Sequence, residues 1–323
     1  MNKREQVQQE ALDIAVQHKK CGLAISMGVG KTLIGLKYLK HFWDNKSMIN
    51  ALVVAPKLSI FQSWKDDAVK FGIDPDMIDC IKFTTYLSLH KEEHDYDIVV
   101  LDECHSLLSS HLSFLGTFPG RILGLTGTPP RYQDSEKGKM VKEFCPIRYK
   151  YITDDAVEDA ILNDYRIVVH KMALSAEKNI CVKTKDKEFY ASEVQNYDYW
   201  YRRVLEAQTN QADKMCEHSY HSNNPDSEDN LERFKKGEIY KLSCVMQLNE
   251  GVNIPNLREG IIMHSYGNER KANQRIGRLL RLNPTETSTV HILCYKDTVD
   301  EKWVTEALKD LDKSKIVYHD VKI

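Results

Sequence analysis

Nowhere does this chain run apolar for anything near the ~20 residues that a membrane-spanning helix needs. Its polar start, residues 1–6, carries no secretory apolar region. None of its eight cysteines forms a CxxC pair, so a dithiol redox motif or a zinc knuckle is not indicated. Scattered, reduced thiols are expected instead, as in a cytoplasmic protein. An excess of one charge sign is also missing: 45 Lys and Arg face 47 Asp and Glu, for a net charge of −2 and a pI of about 6.6. Without a basic footprint, any contact with nucleic acid must come from a local groove. Internal repeats and low-complexity tracts are absent. What is present is a chain of 323 residues, 42% hydrophobic, with room for two ordinary cores.

The densest chemistry lies at Met27, Gly28, Val29, Gly30, Lys31 and Thr32. Glycines let backbone N–H groups turn toward a triphosphate, Lys31 reaches the β- and γ-phosphates, and the Thr32 hydroxyl can ligate Mg²⁺. The generic loop has a further glycine six residues before the lysine, where this chain has Ile25. The flanks still fit, because residues 24–26 end a strand-like run and Thr32, Leu33, Ile34, Leu36 and Leu39 open an amphipathic helix. Further on, the apolar run 98–101 leads into Asp102, Glu103, Cys104 and His105. Acids at the carboxyl end of a buried parallel strand lie where ligands sit in an open α/β sheet. Asp102 is expected to hold the metal and Glu103 to orient and activate water. Cys104 reads as a small packed residue beside the acids. Together the two motifs mark a nucleotide triphosphatase.

Residues 1–150 read as alternating β and α, with strands near 22–26, 51–55, 81–84, 97–101 and 121–125 and a helix over 61–71. That pattern predicts a parallel sheet with helices on both faces. Residues 144–150, a helix over 154–162 and an alternating strand over 165–174 read as a bridge into a second domain, 151–323.

More stations follow in a fixed order: APKLSIFQSW from Ala55, LTGTPP from Leu125, EGVNIP from Glu250 and QRIGRLLR from Gln274. With MGVGKT and DECH, this set resembles the superfamily 2 helicases and translocases over residues 4–300. MGVGKT and the Pro56, Ser59, Trp64 spacing look like the Swi/Snf-type and phage recombination translocases more than the RNA-directed DEAD-box group. The resemblance implies two tandem RecA-like domains with ATP and Mg²⁺ between them. It implies Arg278 and Arg281 as arginine fingers from the second domain, beside Gln274, with Gly251 and Asn253 near the nucleotide. Gln8 falls at the position of an adenine-reading glutamine; a glutamine on an exposed helix is the other reading. His105 would link the acids to Thr126 and Thr128, which relay the nucleotide state, and Pro56, Lys57 and Thr84 would contact phosphates of the bound strand.

Three departures stand out. Asn253 replaces an aspartate that usually faces the ribose. Residues 183–229 are polar and expected to be irregular; the aromatics Tyr197, Tyr199, Trp200 and Tyr201 there either pack along one helix or stack on bases. The apolar strand expected to open the second domain near 205–212 is missing, so that domain is minimal or has lost residues. Residues 290–295 read as the last buried strand, before an amphipathic helix over 300–311. The expectation is an ATP-dependent translocase or helicase, on DNA in preference to RNA, without a membrane partner, in the cytoplasm of a host if phage-encoded. The alternatives are an RNA helicase on the same fold and an ATP-switched binding module that does not step.

Overall fold

The computed structural model describes residues 2–172, 182–183, 188–189, 212–214, 216–245, 254, 257–263 and 286–321. The chain opens with helix α1 (Lys3–Gln17), whose start is fixed by a reciprocal cap. The Asn2 side chain accepts the Glu5 N–H at 2.8 Å, and the Glu5 carboxylate accepts the Asn2 N–H at 2.9 Å. Strand β1 (Lys20–Ile25) then runs into helix α2 (Lys31–Asp44), followed by β2 (Ala51–Ala55), α3 (Ser59–Lys70), α4 (Pro75–Asp79), β3 (Ile81–Thr85) and β4 (Ile98–Asp102). The short α5 (Leu112–Leu115), β5 (Arg121–Thr126), α6 (Glu136–Phe144) and β6 (Ile147–Tyr151) complete this part.

These six strands form one parallel sheet in the order β3-β2-β4-β5-β1-β6. Every residue of β2 and β4 is buried, whereas the edge strands β3 and β6 are each partly exposed. That exposure leaves Lys82 on one edge and Arg148 and Lys150 on the other, out in solvent. Charged edges of this kind discourage pairing with another chain. The period of two also splits the core. Val53, Val100, Leu123 and Leu125 pack with α1, α2 and α3 on one face. Leu52, Val54, Val99 and Ile122 pack with Phe114, Met140 and Phe144 on the other.

Residues 147–151 correct the sequence reading, which placed them in the bridge. They form β6, beside β1, and the approach of the chain is so close that a Cβ on Gly22 would lie 2.2 Å from the Cys145 carbonyl oxygen. Only glycine at position 22 lets the strand in. The chain leaves this sheet at Tyr151, passes through α7 (Thr153–Glu158) and enters a second sheet at β7 (Asp164–Met172). Short strands β8 (Val182–Lys183) and β9 (Glu188–Phe189) pair antiparallel. Next come β10 (Ser219–Tyr220), α8 (Ser227–Lys235), β11 (Ser243–Cys244), β12 (Glu259–Ile262), β13 (Thr287–Tyr295), α9 (Val299–Ala307) and β14 (Ile316–Val321). The second sheet is parallel, in the order β12-β13-β7-β14, and β10 pairs with β11.

Two further expectations change. Residues 290–295 lie in β13 but are not the last strand: β14 follows and adds to the β7 edge, with Val317 opposite Val168. Its apolar start is only three residues long before His319 and Asp320, too short to read as a strand on its own. The described part of 183–229 holds β9, β10 and the first turn of α8, so it is not simply irregular. The gap expected at 205–212 lies outside the described residues except for Ala212.

Gly124 sits mid-strand in β5, under the acid-bearing loop. A Cβ there would lie 2.6 Å from Cys145 Cβ and 3.1 Å from Cys104 Sγ. Gly124→Ala is expected to destabilise the protein by about 1–3 kcal/mol through overpacking, read as a lower urea midpoint at unchanged m-value.

Candidate ATP site

The phosphate loop occupies residues 26–30, between β1 and α2. Gly28 and Gly30 have φ values of 86° and 108°, a region that a side chain rarely tolerates, and they turn the backbone toward the helix start. Ile25, at the position of the generic extra glycine, is the last residue of β1 and is wholly buried. Strand geometry there needs no glycine.

Helix α1 locks the loop from outside. Gln8 is only 2% exposed, and its Nε2 donates to the Val29 carbonyl at 2.7 Å. The reading of Gln8 as an exposed-helix glutamine is therefore wrong. Arg4, one turn earlier, donates from Nε to the same carbonyl at 3.0 Å. Burial holds the Arg4 pKa below its usual value, with Asp67 opposing that trend. The loop and helix fit so tightly that a Cβ on Gly30 would lie 2.7 Å from Gln8 Nε2. Arg4 was not singled out in the sequence; its i, i+4 relation to Gln8 was the only available sign.

The acids come from the end of β4, separated from β1 by β5 alone. Asp102 is 7% exposed, and each of its carboxylate oxygens receives one N–H: Glu103 on Oδ1 at 3.0 Å and the Trp64 indole on Oδ2 at 2.9 Å. Burial pushes the Asp102 carboxyl up, and the Trp64 bond, the Lys31 charge and the Glu103 N–H pull it down. Glu103 adopts the left-handed conformation at φ 52°, ψ 53°. A non-glycine residue held there costs of order 1–3 kcal/mol, and such residues cluster at functional sites. The turn aims its carboxylate back over the sheet: Oε1 lies 4.0 Å from Lys31 Nζ, and Oε2 lies 3.3 Å from His105 Nδ1.

From there the polar chain continues into β5. His105 Nδ1 is 2.9 Å from Thr126 Oγ1, which accepts the Thr128 N–H at 3.1 Å. Gly127 completes the junction, since a Cβ there would lie 3.2 Å from Lys31 Nζ. Lys31, Glu103, His105, Thr126 and Thr128 thus share one site although they come from three strand ends. Gln274, Arg278, Arg281, Gly251 and Asn253 lie outside the described residues.

Of the three residues expected to touch a bound strand, Pro56 is half-buried and Lys57 exposed, just ahead of α3. Thr84 must be corrected. It is 6% exposed, and its hydroxyl bonds the Glu92 carboxylate, so it is buried inside the edge of the sheet with its hydroxyl already engaged.

Mg²⁺ fits this donor set. The Asp102 carboxylate, at the end of β4, and the Thr32 hydroxyl, in the first turn of α2, are hard oxygens, and Gly127 leaves the space beside Lys31 that a side chain would fill. Among the described residues, no group of three or more His, Cys, Asp and Glu could hold a metal by itself. That suits an ion shared between one carboxylate, one hydroxyl and substrate phosphates.

Residues 2–131 match the family described as the res subunit of type III restriction enzymes, and residues 174–283 match the helicase conserved C-terminal domain. The chain belongs to superfamily 2 of the helicases and translocases. It is 24% identical to the DNA 3′–5′ translocase XPB2 of Sulfurisphaera tokodaii, over 91% of this chain and 82% of that protein. Among solved structures it resembles the ATP-dependent type ISP restriction-modification enzyme LlaBIII bound to DNA, with a TM-score of 0.66 at 12% identity, over 99% of this chain and 31% of that one. It also resembles Mss116p bound to single-stranded RNA and AMP-PNP, with a TM-score of 0.58 at 15% identity, over 98% of this chain and 74% of that one. These likenesses establish the fold as two tandem RecA-like domains.

Proposed function

We propose that this superfamily 2 protein is an ATP-driven translocase that tracks along DNA. The observation that carries the ATPase part is the single polar chain from Lys31 through Glu103 and His105 to Thr126 and Thr128. Lys31 and the loop N–H groups bind the β- and γ-phosphates at the start of α2. Asp102 and Thr32 hold Mg²⁺, which neutralises charge on the phosphate oxygens when bound. Glu103 orients the attacking water and takes its proton, and its carboxylate is flanked by Lys31 on one side and His105 on the other. A change in the phosphates is felt at Glu103 and passed through His105 to the end of β5. Arg278 and Arg281 supply charge from the second domain when the cleft shuts. Repeated closing and opening moves the strand.

DNA is favoured over RNA by the relative named as a DNA translocase and by the match to restriction-enzyme subunits. The test is the ATPase rate with single-stranded DNA, duplex DNA, forked DNA and single-stranded RNA. Several-fold stimulation by DNA and little by RNA is expected. With a net charge of −2, few phosphates are neutralised, so binding should weaken with salt along a shallow slope. Equal or greater stimulation by RNA would replace the track. No stimulation by any nucleic acid would favour a switch that binds a partner without stepping.

A further inference from the structure

Asp102 is gripped by two aromatic side chains, Trp64 from α3 on its carboxylate and Tyr86 from the turn after β3 on its carbonyl. Trp64 lies on α3, less than two turns after Ser59, where that helix emerges from the loop containing Pro56 and Lys57. It is 1% exposed, and its indole N–H donates to Asp102 Oδ2 at 2.9 Å. Tyr86 opens the 3-10 turn Tyr86–Lys91, directly after β3, and its hydroxyl donates to the Asp102 carbonyl at 2.9 Å. β2 and β3 are parallel neighbours, so these two loops leave the sheet side by side.

The Trp64 ring has no slack on its other side. A Cβ on Gly35 of α2 would lie 2.5 Å from Trp64 Cη2 and 3.1 Å from Leu125 Cδ1. The indole therefore abuts the helix that starts at the phosphate loop, with its N–H on the metal-binding acid. α3 is a twelve-residue helix buried along Ile60, Trp64 and Ala68, so a displacement at its first turn must reach the ring.

Resting on the proposed function, we propose that Trp64 and Tyr86 are positioning residues that couple the track to the metal site. Nucleic acid held at residues 56–58 and 85–88 sets the two aromatics, and these set the Asp102 carboxylate and backbone for Mg²⁺. Neither residue touches substrate. Groups that orient a metal ligand through a hydrogen bond typically contribute 10–100-fold to metal affinity or activity.

Trp64→Phe and Tyr86→Phe each remove a single donor and keep a ring. Two readouts decide the matter: the ratio of DNA-stimulated to unstimulated ATPase, and Mn²⁺ affinity for the complex with a non-hydrolysable ATP analogue, by electron paramagnetic resonance. The stimulation ratio is expected to fall several-fold in both variants. Mn²⁺ is expected to bind about tenfold more weakly in Trp64→Phe, and as in wild type in Tyr86→Phe, which touches only the backbone carbonyl. If the two aromatics served packing alone, the melting temperature would drop and both rates would fall together, with the ratio and Mn²⁺ affinity unchanged; that result overturns the proposal. Tyr86→Phe decides the coupling if Trp64→Phe does not fold. A wild type that no nucleic acid stimulates would overturn the proposed function, whereas Mn²⁺ affinity, which needs no track, would still report on the Trp64 contact.

Discussion

Glu103→Gln is expected to bind ATP and fail to turn it over. The amide keeps the shape of the carboxylate but cannot accept a proton from water at neutral pH. A positioned general base typically contributes ~10²–10⁴-fold, so the single-turnover rate should fall by about that factor. ATP affinity should change little, because the phosphate contacts come from Lys31 and the loop between Gly28 and Gly30, neither of which depends on Glu103 for its fold. Lys31 Nζ is 4.0 Å from Glu103 Oε1, a distance at which the pair is not tightly bonded. His105 approaches the other oxygen at 3.3 Å and also meets Thr126, so the isosteric amide leaves the Thr126 contact in place. The measurement is quenched-flow hydrolysis alongside binding of a fluorescent ATP analogue. Hydrolysis at the wild-type rate would remove Glu103 from the role of base.

The same turn shows what a sequence can disclose. The place of Asp102 and Glu103 at a strand end was legible because the apolar run before them could only be a buried strand. Lys31 and Thr32 were legible for a similar reason, with glycines marking the turn. The central strands β2, β4 and β5 were legible too, since continuous apolar runs are what two covered faces demand. By contrast, the donor that holds Asp102 Oδ2 is 38 positions away in the chain, on Trp64. Nothing local distinguishes that tryptophan from one that is merely packed. Gln8 and Arg4 met the same obstacle. Their partner is a backbone carbonyl, which has no residue type to reveal it.

Edges were harder than centres. Thr84 looked like a strand-end hydroxyl, yet β3 runs one residue further and the Thr84 hydroxyl is buried against the Glu92 carboxylate. β6 was mistaken for linker because its residues Ile147, Tyr149 and Tyr151 alternate with Arg148 and Lys150, a pattern that an edge strand and an extended bridge share. What separates the two is Gly22, whose missing side chain admits the chain at residue 145. That constraint acts across more than a hundred positions. Local pattern cannot carry it.

Arg278→Ala and Arg281→Ala probe the other half of the machine. Both lie within the stretch that matches the helicase conserved C-terminal domain. Their spacing of three is the interval at which two residues share one face of a helix. In the proposed mechanism Lys31 and the loop N–H groups engage the phosphates in the ground state as well as in the transition state, so they serve binding and rate alike. In the same proposed mechanism a finger from the second domain reaches the γ-phosphoryl only in the closed cleft and answers charge that spreads as the bond to the leaving group lengthens. Its loss should therefore appear in kcat, with the affinity for ATP nearly unchanged. The expected fall is ~10³–10⁵-fold for the variant that removes the finger itself, equivalent to about 4–7 kcal/mol of barrier. Stimulation by DNA should vanish with it, because closing the cleft no longer completes the site. Steady-state ATPase with and without DNA, together with the Kd of a non-hydrolysable analogue, separates the outcomes. Full stimulated activity in both variants would mean that hydrolysis is completed within the first domain, and the closing cleft would then have no part in the chemistry.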